Sequence, residues 1–128
     1  MLRDLATCPA VTCPMTASVT EVAETMAEAD VGFLVVLDRD DEPVGVLTDR
    51  DIVVRAVARG RHNARAADVM TRHPSSVRDQ ATVTHAAQMM ADRQCRRLVL
   101  TDDAGKVIGV LSLDDLLRVV GWRETPLL

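Results

Sequence analysis

Residues 17–57, moved forward by 64 positions, fall on residues 81–121 without a gap. Thirteen of those forty-one positions are identical, where about three would match by chance. The identities cluster. Val19-Thr20 match Val83-Thr84, Met26-Ala27 match Met90-Ala91, Leu34-Val35 match Leu98-Val99, and Gly45-Val46-Leu47 match Gly109-Val110-Leu111. A chain built from two copies of one unit predicts a pseudo-twofold module, with a cleft between the halves as the natural place for a ligand.

Each copy is about sixty residues, marginal for a stable fold by itself, so the two units are expected to depend on a shared core. The repeat predicts a first unit over residues 1–62 and a second over 63–128. Apolar residues make up 48% of the 128-residue chain, enough to support a buried interior. Phe33 and Trp122 are the only aromatics, so Val, Leu, Ile, Ala and Met must fill that interior.

Composition also narrows function. Base stacking has little to work with, and the net charge of −4 lacks the basic footprint of a nucleic-acid binder. No apolar run is long enough to span a bilayer, and no signal peptide is evident. The expectation is a cytoplasmic protein with reduced thiols at Cys8, Cys13 and Cys95,. No His or further Cys stands at ligand spacing from Cys8 and Cys13, which argues against a metal site. His62, His73 and His85 form no nucleophile–base set, so no catalytic residues are assigned and an enzyme is not expected.

Each unit reads helix, strand, strand, helix, an α/β (α+β) architecture of small sheets packed against helices. Ser18 and Thr82 sit at N-cap positions. Behind them, Val19, Val22, Ala23 and Met26, and then Val83, Ala86, Ala87 and Met90, follow at helical spacing,. Phe33–Leu37 and Arg97–Leu100 read as strands, each joined through a polar turn to a second strand ending at Leu47 or Leu111. Closing helices are expected from about Asp49 to Arg59 and from about Leu113 to Val120, with Gly60 and Gly121 as stops,. Cys13 and Val77 hold equivalent places ahead of each first helix, in short extended segments.

The second strand of each unit runs straight into its closing helix, through Gly45-Val46-Leu47-Thr48-Asp49-Arg50-Asp51 and Gly109-Val110-Leu111-Ser112-Leu113-Asp114-Asp115. A hydroxyl at such a junction lies among unpaired N–H groups at the positive end of a helix, which suits phosphate. A carboxylate three residues on can accept from a vicinal diol. The same residues are also an ordinary helix cap, and both readings stand at this point. The order of elements with this ending, present twice, resembles the CBS domain in its tandem form, the Bateman module, over essentially residues 10–120.

That resemblance implies a ligand class and its contacts. Thr48 and Asp51 would serve one adenosine site, and Ser112 and Asp115 the other. Arg96 and Arg97, where the first unit has Gly32 and Phe33, resemble guanidinium groups that reach a ligand phosphate. The two sites are therefore expected to differ, with one arginine of the pair pointing inward. The implied ligands are AMP, ADP or ATP, with S-adenosylmethionine a rarer option and no cofactor required. The implied assembly is a disk-shaped homodimer, to which Leu113, Leu116, Leu117 and Val120 could contribute, acting in trans on a target protein. The alternative expectation is a ligand-free interaction protein responding to redox state through Cys8 and Cys13.

Overall fold

The computed structural model describes residues 1–119. Val120, Gly121 and Trp122, which the sequence placed at the end of the last helix and beyond, lie outside the described residues. The described chain divides into two compact units, Ala10–Pro74 and Met1–Pro9 together with the chain from Ser75 onward. The expected boundary at residues 62 and 63 follows the repeat, whereas the compact units follow packing, and the two differ at both ends.

The first unit, residues 10–74, holds a four-stranded sheet in the order β1-β2-β3-β4. Its strands are β1 (Thr12–Pro14), β2 (Phe33–Leu37), β3 (Pro43–Thr48) and β4 (Thr71–Arg72). β1 runs parallel to β2, and the other neighbours are antiparallel. Helix α1 (Val19–Ala29) crosses between β1 and β2, capped by Ser18, whose Oγ accepts the Glu21 N–H at 3.1 Å. Its buried stripe is Val19, Val22 and Met26. Ala23, expected in that stripe, is exposed. Val22, Leu34, Val36, Leu47, Ala56 and Ala66 are fully buried in one cluster, each leucine contributing roughly 1.5–3 kcal/mol relative to exposure.

After β3 the chain turns at α2 (Asp49–Asp51) and continues as a π-helical stretch, Ile52–Ala56, and a 3-10 turn, Val57–Arg59. The helix expected over this range is therefore present with its winding changed midway. Gly60 ends it at φ 66°, a left-handed conformation that a glycine adopts without strain. The short helix α3 (Ala66–Val69) leads into β4.

The second unit repeats the plan in three strands, β5 (Ser76–Arg78), β6 (Arg97–Thr101) and β7 (Val107–Ser112), with α4 (Val83–Arg93) and α5 (Leu113–Val119). Leu98, Leu100, Leu111 and Ala86 are fully buried. Its hairpin turn is wound like that of the first unit. Asp38 Oδ1 accepts the N–H groups of Asp40 and Glu42, and Asp102 Oδ1 those of Ala104 and Lys106. Such an aspartate turn fixes the register of both strands.

In place of a fourth strand, the second unit receives residues 1–9. Leu2 is 1% exposed in its core, and Thr7 exchanges two backbone hydrogen bonds of 3.0 Å with Val110. Thr71 bridges Val46 in the same way in the first unit. Thr7 and Val110 stand 64 positions from Thr71 and Val46, so the repeat extends to residues 2–9 and 66–73. Each repeat thus lends its leading segment to the unit containing the other repeat's sheet. Gly45 and Gly109 make this possible. An added Cβ at Gly45 would lie 2.4 Å from Met70 Sδ, and at Gly109 2.4 Å from Cys8 Sγ.

Candidate functional site

The antiparallel register sets Phe33 opposite Thr48 and Arg97 opposite Ser112. The chain leaving the preceding helix then binds the start of the closing one. The Asp49 N–H donates to Gly32 O at 2.9 Å, and the Leu113 N–H to Arg96 O at 2.8 Å. Positions 32 and 33 and positions 96 and 97 are thereby fixed beside the strand–helix junctions.

Both junctions close as reciprocal capping boxes. Thr48 Oγ1 accepts the Asp51 N–H at 3.1 Å while Asp51 Oδ2 accepts the Thr48 N–H at 3.0 Å. Ser112 Oγ accepts the Asp115 N–H at 3.1 Å while Asp115 Oδ2 accepts the Ser112 N–H at 2.8 Å. The cap and the ligand readings of these residues are compatible, because the cap uses one carboxylate oxygen and leaves the hydroxyl proton able to donate. Each remaining Oδ1 faces an arginine. Asp51 Oδ1 lies 3.8 Å from Arg55 Nε, and Asp115 Oδ1 accepts from Nη2 of Arg118. The sequence reading missed both arginines, although their spacing of four and three residues along a helix was a usable signal.

The junctions differ in charge. In the second unit Arg96, Arg97, Ser112, Leu113 and Asp114 line an open cleft of about 290 Å³. Both arginines line it. The expectation of a single inward arginine assumed strand alternation, but β6 begins only at Arg97, so Arg96 lies before the pleat. Asp115 is 7% exposed and lies behind the rim with its cap. In the first unit no arginine occupies these places, and the Asp49 carboxylate rests against Gly32, where an added Cβ would meet its Oδ2 at 2.9 Å. The first junction thus carries the Asp49 carboxylate and Arg50, where the second carries two guanidinium groups and the Asp114 carboxylate.

Cys8 and Cys13 are not among the residues lining this cleft. Cys13 is buried in the first unit's core, and burial pushes its thiol up to about 11. Cys8 belongs to the second unit, and burial also raises its thiol above the ordinary value. Thiolate formation, which disulfide chemistry needs, is disfavoured at both. Among the described residues, no group of three or more His, Cys, Asp or Glu side chains could hold a metal ion. No described helix is long and apolar enough to cross a membrane.

The CBS domain model matches this chain twice, over residues 2–57 and 66–121. The chain belongs to the CBS domain family. Its two domains begin 64 residues apart and include the leading segments that the compact units exchange. An uncharacterized protein of Methanopyrus kandleri is 35% identical over 106 residues, covering 81% of this chain and 54% of that protein. The Bacillus subtilis protein YlbB, also uncharacterized, is 38% identical over 117 residues, 90% of this chain and 78% of its own. The chain therefore spans about half of the first relative and most of the second. Among solved structures, a CBS domain protein from Pyrobaculum aerophilum complexed with AMP is 36% identical, with a TM-score of 0.77, covering 88% of this chain and 86% of that one.

Proposed function

We propose that this CBS pair is a regulatory module that binds an adenine nucleotide of the AMP, ADP or ATP class at the second unit's junction and passes its occupancy to a partner protein by conformational change. The observation that carries this reading is the cleft in which Arg96 and Arg97 stand beside Ser112. Two guanidinium groups and a hydroxyl supply charge-assisted donors for phosphate. Asp115, three residues beyond Ser112, supplies the acceptor for the ribose diol. The P. aerophilum relative complexed with AMP supports the ligand class. S-adenosylmethionine fits this cleft less well, because its sulfonium carries positive charge toward the arginines.

Signalling requires that ligand favour one arrangement of the protein over another. The expected assembly is a homodimer through helices. Leu116 is only 3% exposed, so it serves its own core and drops out of the predicted dimer stripe. The exposed apolar residues nearest that role are Val53, Val54 and Val57 of the first unit and Val119 of the second. The burial of Cys13 weighs against the alternative of a redox-responsive, ligand-free protein.

The test is calorimetric titration of the purified protein with AMP, ADP, ATP and S-adenosylmethionine at physiological salt. Saturable binding of at least one nucleotide at micromolar to sub-millimolar concentration is the expected outcome. A folded protein giving no heat with all four would refute the nucleotide reading.

A further inference from the structure

The Asp115 carboxylate is engaged on both oxygens, and the two engagements differ in kind. Oδ2 belongs to the cap with Ser112, a bond both repeats make. Oδ1 is held by the Arg118 guanidinium, one turn along α5. With Oδ2 already serving the cap, a ribose diol would compete with Arg118 for Oδ1.

The first repeat shows what a permanent version of this pair looks like. Arg55, beside Asp51, also donates through Nη1 to Val69 O at 3.1 Å, Met70 O at 3.3 Å and Thr71 Oγ1 at 3.4 Å. Those bonds tie it to the end of α3 and the start of β4, and leaving Asp51 would not free it. Among the described residues, Arg118 has no counterpart of this anchorage. Its side chain is 68% exposed, and that of its partner Asp115 only 9%. The guanidinium therefore has water available the moment it swings away, while the carboxylate does not. Left alone, a buried carboxylate oxygen would be costly, so the site keeps its own donor until a better one arrives.

We propose that Arg118 is a displaceable latch on Asp115, holding the place of the ribose hydroxyls in the unliganded protein and released when nucleotide binds. This rests on the nucleotide reading of the second junction. Arg118 acts through Asp115 and is a positioning residue, opposing the ligand in the free state instead of contacting it in the bound one. An exposed guanidinium is a weak competitor, so the opposition is modest.

The experiment compares AMP titrations of the wild type, Arg118→Gln and Arg39→Gln. Arg39 lies exposed in the first unit's hairpin turn and controls for the loss of one positive charge. Arg118→Gln is expected to bind AMP about two- to fivefold more tightly, with Arg39→Gln unchanged. In the wild type, the Arg118 side-chain Nε–H signal in nitrogen-15 NMR should shift toward that of a solvated arginine as AMP saturates. Equal or weaker binding by Arg118→Gln, or equal tightening by Arg39→Gln, would overturn the latch while leaving the nucleotide site standing. Tightening with an unmoved Arg118 signal would overturn it too. If neither wild type nor Arg118→Gln binds AMP, ADP, ATP or S-adenosylmethionine, the nucleotide reading falls and the latch falls with it.

Discussion

Cys13 shows how much a single position carries when its environment is apolar. Its side chain points from β1 into the cluster of Val22, Leu34 and Leu47, where a thiolate would be poorly solvated. The folded thiol, at about 11 against an ordinary 9.0, keeps a proton that the unfolded chain gives up between those values. The unfolded state then binds fewer protons than the native one, so stability falls as pH rises. It is fully present below pH 9 and declines toward 11, by an amount on the order of 2 kcal/mol. Urea unfolding at a series of alkaline pH values should show this decline in the wild type, and a shallower one in Cys13→Ala. The residue's placement was legible from its match to Val77 in the repeat. Its titration was not, because it depends on which side chains surround the sulfur.

At the scale of elements, the informative comparison is between the leading segments. Residues 2–4 form a 3-10 turn whose Arg3 pairs with Asp79, a side chain 2% exposed. The pairing raises the Arg3 guanidinium above its usual value, chiefly through the hydrogen bond to Asp79. In the first unit the equivalent positions are Ala67 and Met15, both packed against the core. One unit thus uses an ion pair where the other uses two apolar side chains. Arg3→Ala strands the buried Asp79 carboxylate and should lower the unfolding midpoint,. Arg3→Ala with Asp79→Met, copying the first unit, should recover most of that loss. Thermal or urea unfolding of both variants decides it, and a double variant no better than the single would contradict the account. Why the sequence concealed this segment is plain from the residues. Of positions 2–9 only Asp4 and Thr7 match their counterparts, Asp68 and Thr71, too few to extend a repeat by eye. The strands, hairpins and caps were legible because hydroxyls, aspartates and alternating aliphatics mark them locally. The π-helical turn at Ile52–Ala56 was hidden, since no local residue requires it.

For the whole molecule, the two repeats share a backbone plan and have diverged in charge at the same place. Gly32, Phe33, Asp49 and Arg50 stand where the second repeat has Arg96, Arg97, Leu113 and Asp114. The difference was readable at the arginines, while the Asp49 carboxylate lying over Gly32 emerged only from the coordinates. Both caps lose one hydrogen bond when their aspartate is removed, a shared cost of about 1 kcal/mol in stability. Nucleotide binding should separate them. Asp115→Ala is expected to weaken it about ten- to a hundredfold, and Asp51→Ala by less, with a stoichiometry of one per chain. Equal losses measured by calorimetry, or a larger loss at Asp51, would contradict the assignment to the second junction.

The exchange of leading segments also has a consequence in time. As the chain leaves the ribosome, residues 10–74 emerge as one continuous stretch that can close its sheet without waiting. Residues 1–9 emerge before them and must stay unclaimed until Asp79 and Val110 have been made, a span of 76 residues between Arg3 and its partner. The second unit is therefore completed by a segment synthesised before the whole of the first unit.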